Sequence, residues 1–123
     1  MITSPSTLTH LNPQEFMHLS HPPRLIDVRS QVEYRMFHAP TAINLSLPRI
    51  LLGRLPGLKW LLPDWFRTLP KDEAIAVICL TAHRSPIVAE QLVKDGFQNV
   101  INISGGMMAW KESGLPTQSR QSS

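Results

Sequence analysis

Four short apolar runs occur along the chain, and segments with helix-forming patterns separate them. Because each run is brief and almost continuously apolar, it is typical of a strand that is buried on both faces of a parallel sheet. A more polar run near residues 6–10 fits an edge strand. Strands that alternate with helices predict an α/β fold with a five-stranded, mainly parallel sheet flanked by helices. The predicted strands are 6–10, 24–28, 42–45, 75–78 and 99–103.

Two helix starts have the capping-box pattern, in which a polar cap and a Glu three residues later bind each other's backbone N–H groups. Asn12 with Glu15 and Ser30 with Glu33 form these pairs. The His21-Pro22-Pro23 run is expected to end the first of these helices. Helices are therefore predicted after residues 12 and 30, the second to about residue 37, and again at 85–95 and about 107–112.

Composition predicts one domain with an apolar core. The 123 residues are 42% hydrophobic and 17% charged, which suits one folded unit and is too short for two. We expect a single domain over residues 1–123, with its core at about 7–117 and a flexible tail at 118–123. A single cysteine allows no internal disulfide, and neither a leader pattern nor a membrane-length apolar run is seen. A soluble, cytoplasmic protein is therefore expected.

The positive charge is concentrated in one segment. The net charge of the chain is +3, and residues 47–70 alone contain four basic residues against Asp64, which also gives +3. A confined excess of this kind argues against a nucleic-acid binder. Because Pro56 and Pro63 interrupt its helical pattern, we expect a long connection folded over the sheet. The alternative is a docking surface for a protein partner or an anionic membrane. That surface would comprise the basic residues with Trp60, Trp65 and Phe66.

Cys79 stands where a predicted strand ends and a helix begins. Loop N–H groups, the positive end of the helix dipole and Arg84 converge on such a position, and all of them favour a thiolate. Arg84 is an unusual residue for a helix start, where cations are disfavoured, which favours an anion-binding role for it. The plainer alternative is that Cys79 is a small apolar residue that closes the strand. If strands 75–78 and 99–103 are neighbours, the turn at Gly105-Gly106 lies at the same edge of the sheet.

Six short motifs follow one another along the chain. They are Leu25-Ile26-Asp27-Val28-Arg29, Glu33-Tyr34, His38-Ala39-Pro40-Thr41-Ala42-Ile43-Asn44, Cys79 with Arg84-Ser85 after four intervening residues, Gly105-Gly106-Met107-Met108-Ala109-Trp110, and Gly114-Leu115-Pro116. In order and spacing this set resembles the rhodanese (sulfurtransferase) domain from about residue 7 to 117. A single motif such as Gly-Gly is weak, whereas the ordered set is specific.

The resemblance implies a rhodanese-like α/β fold and sulfur transfer at Cys79. Cys79 would take a sulfane sulfur from a small anionic donor such as thiosulfate, and the persulfide would pass it to cyanide, a thiol or a protein acceptor. Arg84 would fix the loop or meet the donor. No cofactor and no metal is implied, and His18 and His21 are too sparse for a zinc site. The persulfide-binding loop would comprise Leu80, Thr81, Ala82, His83 and Arg84, with Ser85, Asp27 and Arg29 in support.

Several polar and aromatic residues have structural interpretations. Asp27 and Arg29 end a strand at the functional edge, where a hydrogen-bond and charge network is expected. His38 is expected to form structural hydrogen bonds, and Trp110 to lie in the core. Ala82 stands where the family often has glycine, so a positive φ there would strain it and slow the reaction. The usual glycines near Phe37 and Thr41 are also replaced.

Two other functions remain open at this point. A rhodanese-fold module can bind a partner or sense oxidants without transferring sulfur. The related dual-specificity phosphatases and arsenate reductases have a loop one residue longer between cysteine and arginine, which makes room for a tetrahedral oxyanion. Four residues separate Cys79 from Arg84, and this shorter loop favours sulfur transfer.

Overall fold

All strands of the sheet run parallel. The computed structural model of the protein describes residues 7–81 and 83–120. Its five strands lie in the order β1-β5-β4-β2-β3. The predicted α/β fold with a five-stranded sheet is therefore confirmed. The strands are β1 (Thr7–Leu11), β2 (Arg24–Asp27), β3 (Ile43–Asn44), β4 (Ile75–Ile78) and β5 (Asn99–Ile103).

In the described part of the chain, six α-helices and one 3₁₀ turn (Lys59–Leu61) surround the sheet, and both predicted capping boxes are formed. The first helix ends at Met17, before the prolines that were expected to end it, and the ring nitrogen Nδ1 of His18 lies 2.8 Å from the carbonyl oxygen of Gln14. No helix within residues 7–81 and 83–120 is long and apolar enough to cross a membrane. The helices are α1 (Pro13–Met17), α2 (Gln31–Met36), α3 (Leu47–Leu52), α4 (Asp64–Arg67), α5 (Ser85–Lys94) and α6 (Gly106–Glu112).

The alternation of side chains along the central strands divides the core into two layers. Ile75 and Val77 of β4 face one side with residues of α3, α4 and α5, whereas Ala76 and Ile78 face the other with residues of α1, α2 and α6. Trp110 lies in the second layer, as predicted, and its Nε1 donates a hydrogen bond of 2.8 Å to the carbonyl of Pro116. With helices on both faces, the strand ends are left to form the site.

The connection between β3 and β4, residues 47–70, is folded over one face of the sheet, which confirms that expectation. Its helices α3 and α4 bury Ile50 and Phe66 in the first core layer. The three aromatic residues proposed to form a surface differ in exposure. Trp60 is 72% exposed, Trp65 is partly buried with the Arg24 guanidinium 5.2 Å from its ring, and Phe66 is only 9% exposed. Phe66 is therefore a core residue, in contrast to the exposed Trp60.

Backbone pairing with the rest of the domain extends to Gln118, the first residue after the predicted core. A flexible tail is expected from residue 118, but Gln118 pairs with His38 in an isolated antiparallel bridge. The His38 N–H donates to the Gln118 carbonyl at 2.7 Å, and the Gln118 N–H donates back at 2.8 Å. Gln118 pairs with His38 because the backbone of His38, just after α2, offers both a donor and an acceptor outside the helix. Residues 121–123 lie outside the described part of the chain.

The different burial of the two aromatic residues predicts different stability effects. Replacing Phe66 by Ala should lower the free energy of unfolding by about 3–5 kcal/mol, because the change leaves a cavity in the core. Replacing Trp60 by Ala should change it by no more than about 0.5 kcal/mol, as is usual for exposed positions. Urea unfolding followed by circular dichroism measures both. Similar losses in the two variants would contradict this assignment of core and surface.

Candidate active site

Cys79 lies directly after β4, six residues before the Ser85 that begins α5. Its side chain is buried, and its Sγ lies 3.3 Å from Ser85 Oγ. Burial by itself raises the pKa of the Cys79 thiol. The Ser85 hydroxyl and the backbone N–H groups of Ser85, Arg84 and His83 form hydrogen bonds to the sulfur that outweigh burial, so the pKa of Cys79 is lowered. A thiolate is the nucleophilic form of cysteine, and this geometry favours it.

The predicted loop residues differ in whether they contact the sulfur of Cys79. His83 and Arg84 contribute backbone N–H groups to it. The side chains of Thr81 and His83 instead bind each other, with Thr81 Oγ1 at 2.8 Å from His83 Nδ1. Leu80 contributes its carbonyl to a contact with α6. Ala82, for which strain was predicted, lies outside the described residues.

The start of α6 supports the Cys79 loop from behind. The Met107 N–H donates to the Cys79 carbonyl at 2.7 Å, and the Met108 N–H donates to the Leu80 carbonyl at 2.9 Å. Gly106, with φ of +59°, allows this approach. A Cβ on Gly106 would lie 2.5 Å from the Thr81 carbonyl oxygen and closer still to that of Cys79. Strands β4 and β5 are neighbours, so the Gly105-Gly106 turn and the cysteine loop do lie at one edge.

Arg84 is bound to Glu33, a residue that the sequence pattern did not place in the site. Arg84 Nη1 and Nη2 donate to Glu33 Oε1 and Oε2 at 2.7 and 2.8 Å. This two-point contact lowers the pKa of Glu33 from 4.5 to about 2 and raises that of Arg84. Glu33 also accepts from the Ser30 N–H in the capping box of α2. Both terminal nitrogens of Arg84 are thus bound to the Glu33 carboxylate, and this contact joins the loop to α2. The anion-binding role of Arg84 stays a prediction.

Asp27 and Arg29 form a buried ion pair at the end of β2. Arg29 Nε donates to Asp27 Oδ1 at 2.9 Å, and Arg29 Nη2 donates to Asp27 Oδ2 at 2.8 Å. Arg29 also reaches the Phe37 carbonyl at 2.5 Å, and Asn44 Nδ2 donates to the Asp27 and Arg29 carbonyls at 3.0 and 2.9 Å. This network joins β2, β3 and the end of α2, and it shapes the sheet edge without contacting the sulfur of Cys79.

His38 has a structural environment, as its place in the sequence predicts. Its ring is buried and stacks on Tyr34 with the ring centroids 3.8 Å apart, and its Nδ1 lies 2.6 Å from the Tyr34 carbonyl oxygen. The Tyr34 hydroxyl in turn donates to the Ala42 carbonyl at 2.5 Å. These contacts hold the segment between α2 and β3.

The fold and the cysteine loop together define a known class of domain. A family model described as rhodanese-like domain matches residues 12–113. The chain therefore belongs to the rhodanese-like domain family, and the resemblance noted in the sequence is confirmed.

Individual relatives agree with this assignment. Protein slr1261 of Synechocystis is 29% identical over 114 residues, which cover 93% of this chain and 54% of that protein, so the chain spans about half its length. The putative sulfurtransferase YtwF of Bacillus subtilis is 34% identical over 92 residues, covering 75% of this chain and 77% of that protein. The solution structure of a polysulfide-sulfur transferase homodimer from Wolinella succinogenes is 27% identical, with a TM-score of 0.69 over 94% of this chain and 81% of that one.

The close approach at Gly106 predicts that Gly106→Ala will disturb the cysteine loop. The new Cβ must displace the backbone of residues 79–81, and overpacking of this kind costs about 1–3 kcal/mol in addition to the cost of a positive φ. Gly114→Ala is the matched control, because Gly114 has φ of +78° and a Cβ at that position would have nothing within 4 Å. Urea unfolding and the pH dependence of Cys79 alkylation measure the effects. Equal destabilisation of the two variants, with unchanged Cys79 reactivity, would contradict the prediction.

The ion pair of Glu33 predicts a stability change in acid. Because folding lowers the pKa of Glu33 from 4.5 to about 2, its carboxylate stabilises the protein fully above about 4.5, and this contribution is lost as the pH falls through about 2. The difference in unfolding free energy between wild type and Glu33→Gln should therefore be largest near neutral pH and shrink as the pH falls from about 4.5 to about 2. Urea titrations at a series of pH values measure it.

Glu15 provides the control for this comparison. It occupies the same capping-box position on α1, and no cation partner is found for it within residues 7–81 and 83–120. Glu15→Gln should therefore have a smaller effect on stability. A Glu33→Gln effect that stays constant from neutral pH to about 2, or one no larger than that of Glu15→Gln, would argue against the role of the Arg84 pair.

Proposed function

We propose that the protein is a sulfurtransferase that carries sulfane sulfur as a persulfide on Cys79. The proposal depends on one observation at Cys79. This cysteine is buried, and hydrogen bonds from Ser85 and from the backbone N–H groups of His83 and Arg84 lower its pKa. Such a site stabilises negative charge on sulfur without a metal or a separate base. A thiolate and a persulfide anion both fit this description.

The proposed reaction has two steps. In the first, the Cys79 thiolate attacks the outer, sulfane sulfur of thiosulfate. A new S–S bond forms, the S–S bond of the donor breaks, and its electron pair leaves with sulfite. In the second, an acceptor such as cyanide or a thiolate attacks the outer sulfur of the persulfide, and the Cys79 thiolate leaves. No net proton or external electron is needed when both reactants are anions.

The residues around Cys79 have separate parts in this scheme. The backbone N–H groups and the Ser85 hydroxyl would hold the inner sulfur as a nucleophile and then as a leaving group. The ten-residue helix α5 adds the positive end of its dipole at the same place. Arg84 would act by position, because both terminal nitrogens of its guanidinium are bound to Glu33. Asp27 and Arg29 would maintain the sheet edge.

The names of two relatives support sulfur transfer as the class of reaction. YtwF is named a putative sulfurtransferase, and the Wolinella protein a polysulfide-sulfur transferase. A small anionic sulfur compound is therefore the proposed donor, with thiosulfate as the first to test, and a thiol or protein thiol is the proposed physiological acceptor. The loop of four residues between Cys79 and Arg84 leaves less room for a tetrahedral oxyanion, which disfavours phosphatase and arsenate reductase chemistry.

Incubation with thiosulfate tests the proposal directly. The intact mass should rise by one sulfur atom, the gain should disappear on reduction, and cyanide should release it as thiocyanate. Cys79→Ser should show none of these. Ser85→Ala should still form the adduct, at least roughly tenfold more slowly, because a hydrogen bond to a charged group contributes about 1.5–3 kcal/mol. Stopped-flow or quenched-flow mass measurements give the rates.

Three outcomes distinguish the alternatives. An equal, reducible gain of one sulfur in the mass of Cys79→Ser, or equal production of thiocyanate by that variant, would disprove the role of this residue. No adduct and no thiocyanate with thiosulfate, polysulfide and thiosulfonates would favour a module that binds a partner or responds to oxidants. Release of phosphate from an aryl phosphate by wild type, and not by Cys79→Ser, would favour phosphatase chemistry instead.

A further inference from the structure

Three large apolar side chains of the connection between β3 and β4 are exposed to solvent, and together they are called the apolar ridge. Its members are Leu52 at the end of α3, Leu55 in the following turn and Trp60 in the 3₁₀ turn, and they are 47%, 46% and 72% exposed. Other apolar residues of the same connection, such as Ile50 and Leu62, are buried in the core. The connection therefore has one face that fills the core and another that presents large apolar side chains to solvent.

A basic groove of about 520 Å³ is lined by Gly53, Arg54 and Lys59, which are the sequence neighbours of the ridge residues, among others. Its floor is apolar and includes Phe66 and Phe97, both of them buried. The residues that line it also include four cations, Arg54, Lys59, Arg67 and Lys71, and one acid, Asp95.

Pairing leaves the groove with an excess of positive charge. Arg54 pairs with Asp95 at 3.2 Å, Arg67 pairs with Asp64, and the Lys71 ammonium lies 4.1 Å from the ring centroid of Phe97. For Lys59 no hydrogen-bond or ion-pair partner occurs in the part of the chain that the structure describes. Four cations and two carboxylates give a charge of +2 at this groove. The groove therefore suits a ligand with anionic groups.

We propose that this ridge and groove together form a docking surface for an anionic lipid bilayer. Leu52, Leu55 and Trp60 would enter the interface between headgroups and acyl chains, and the groove cations would bind lipid phosphates. Exposed Trp and Leu next to Lys and Arg is the combination that favours the surface of an anionic membrane. The contact is peripheral, and it involves no residue of the cysteine loop, so it is independent of the sulfur-transfer proposal.

The shape of the surface favours a bilayer over an acidic protein. The three apolar side chains project from a short helix, a turn and a 3₁₀ turn, which gives an irregular ridge and not a groove that fits one helix or strand of a partner. A bilayer accommodates separate protruding side chains because lipids rearrange around them. The amphipathic Trp60 ring is also the side chain that prefers the membrane–water interface.

Co-sedimentation of the full chain with vesicles tests this proposal. Binding is expected to vesicles of equimolar phosphatidylglycerol and phosphatidylcholine, and not to phosphatidylcholine alone. The double variant Leu55→Ser, Trp60→Ser should bind at least about tenfold more weakly, since each apolar side chain that is buried contributes enough for such a factor. Val32→Ser, Met36→Ser is the matched control, because these residues of α2 are 72% and 65% exposed and lie outside the ridge.

Charge is tested separately. Lys59→Gln should weaken binding about fivefold, as expected for one cation near an anionic surface, and raising the ionic strength to about 1 M should weaken it further. Lys111→Gln on α6 is the control and should bind like wild type. Circular dichroism verifies that each variant is folded.

Three results would overturn the proposal. They are equal binding to anionic and neutral vesicles, an unchanged affinity in the folded Leu55→Ser, Trp60→Ser variant, and the absence of vesicle binding. Binding to poly-L-glutamate without binding to vesicles would assign the surface to an acidic protein and would equally overturn the membrane assignment.

Discussion

The cysteine loop must direct several backbone N–H groups toward one sulfur, and the rest of the site depends on this constraint. When N–H groups face inward, the neighbouring carbonyls face outward, and buried carbonyls need donors of their own. The first N–H groups of α6 are free because a helix does not use them internally, and those of Met107 and Met108 bind the carbonyls of Cys79 and Leu80. Gly106 makes this contact possible because it lacks a Cβ. The Gly-Gly turn and the cysteine loop thus form one structural unit.

The charge of Arg84 is unfavourable at the start of α5, and a contact with α2 offsets this electrostatic cost. A cation at a helix start opposes the helix dipole, but the Glu33 carboxylate binds both terminal nitrogens of the guanidinium and also caps α2. The beginnings of α2 and α5 are therefore linked through one carboxylate. With the guanidinium engaged, backbone N–H groups provide the positive potential at the sulfur, and the arginine fixes their arrangement.

Much of this architecture was predictable because it follows from local patterns. The continuous apolar runs define β4 and β5 at their observed bounds, and the capping boxes locate the starts of α1 and α2. The pair of Glu33 with Arg84 was not predictable, since 51 positions separate the two residues and their meeting depends on the packing of α2. Contacts between backbone groups, such as the bridge of Gln118 with His38, were not predictable either, because no side chain takes part in them. In residues 47–70 the helical pieces are too short for periodicity to show that Phe66 faces the core and Trp60 faces solvent.

The burial of Cys79 bears on the functions that the sequence left open. A cysteine that senses oxidants is usually accessible as well as ionised, whereas Cys79 is 1% exposed. A sulfur carrier has a different requirement, because its acceptor attacks the outer sulfur and not the cysteine. That outer atom would lie about 2 Å from Cys79 Sγ along the S–S bond. Burial of the inner sulfur is therefore compatible with the second step of the proposed transfer, whereas the first step requires the sulfane sulfur of the donor to reach Cys79 Sγ. A lowered pKa of the cysteine suits a carrier and a sensor alike, so the two functions differ in which sulfur atom must be accessible.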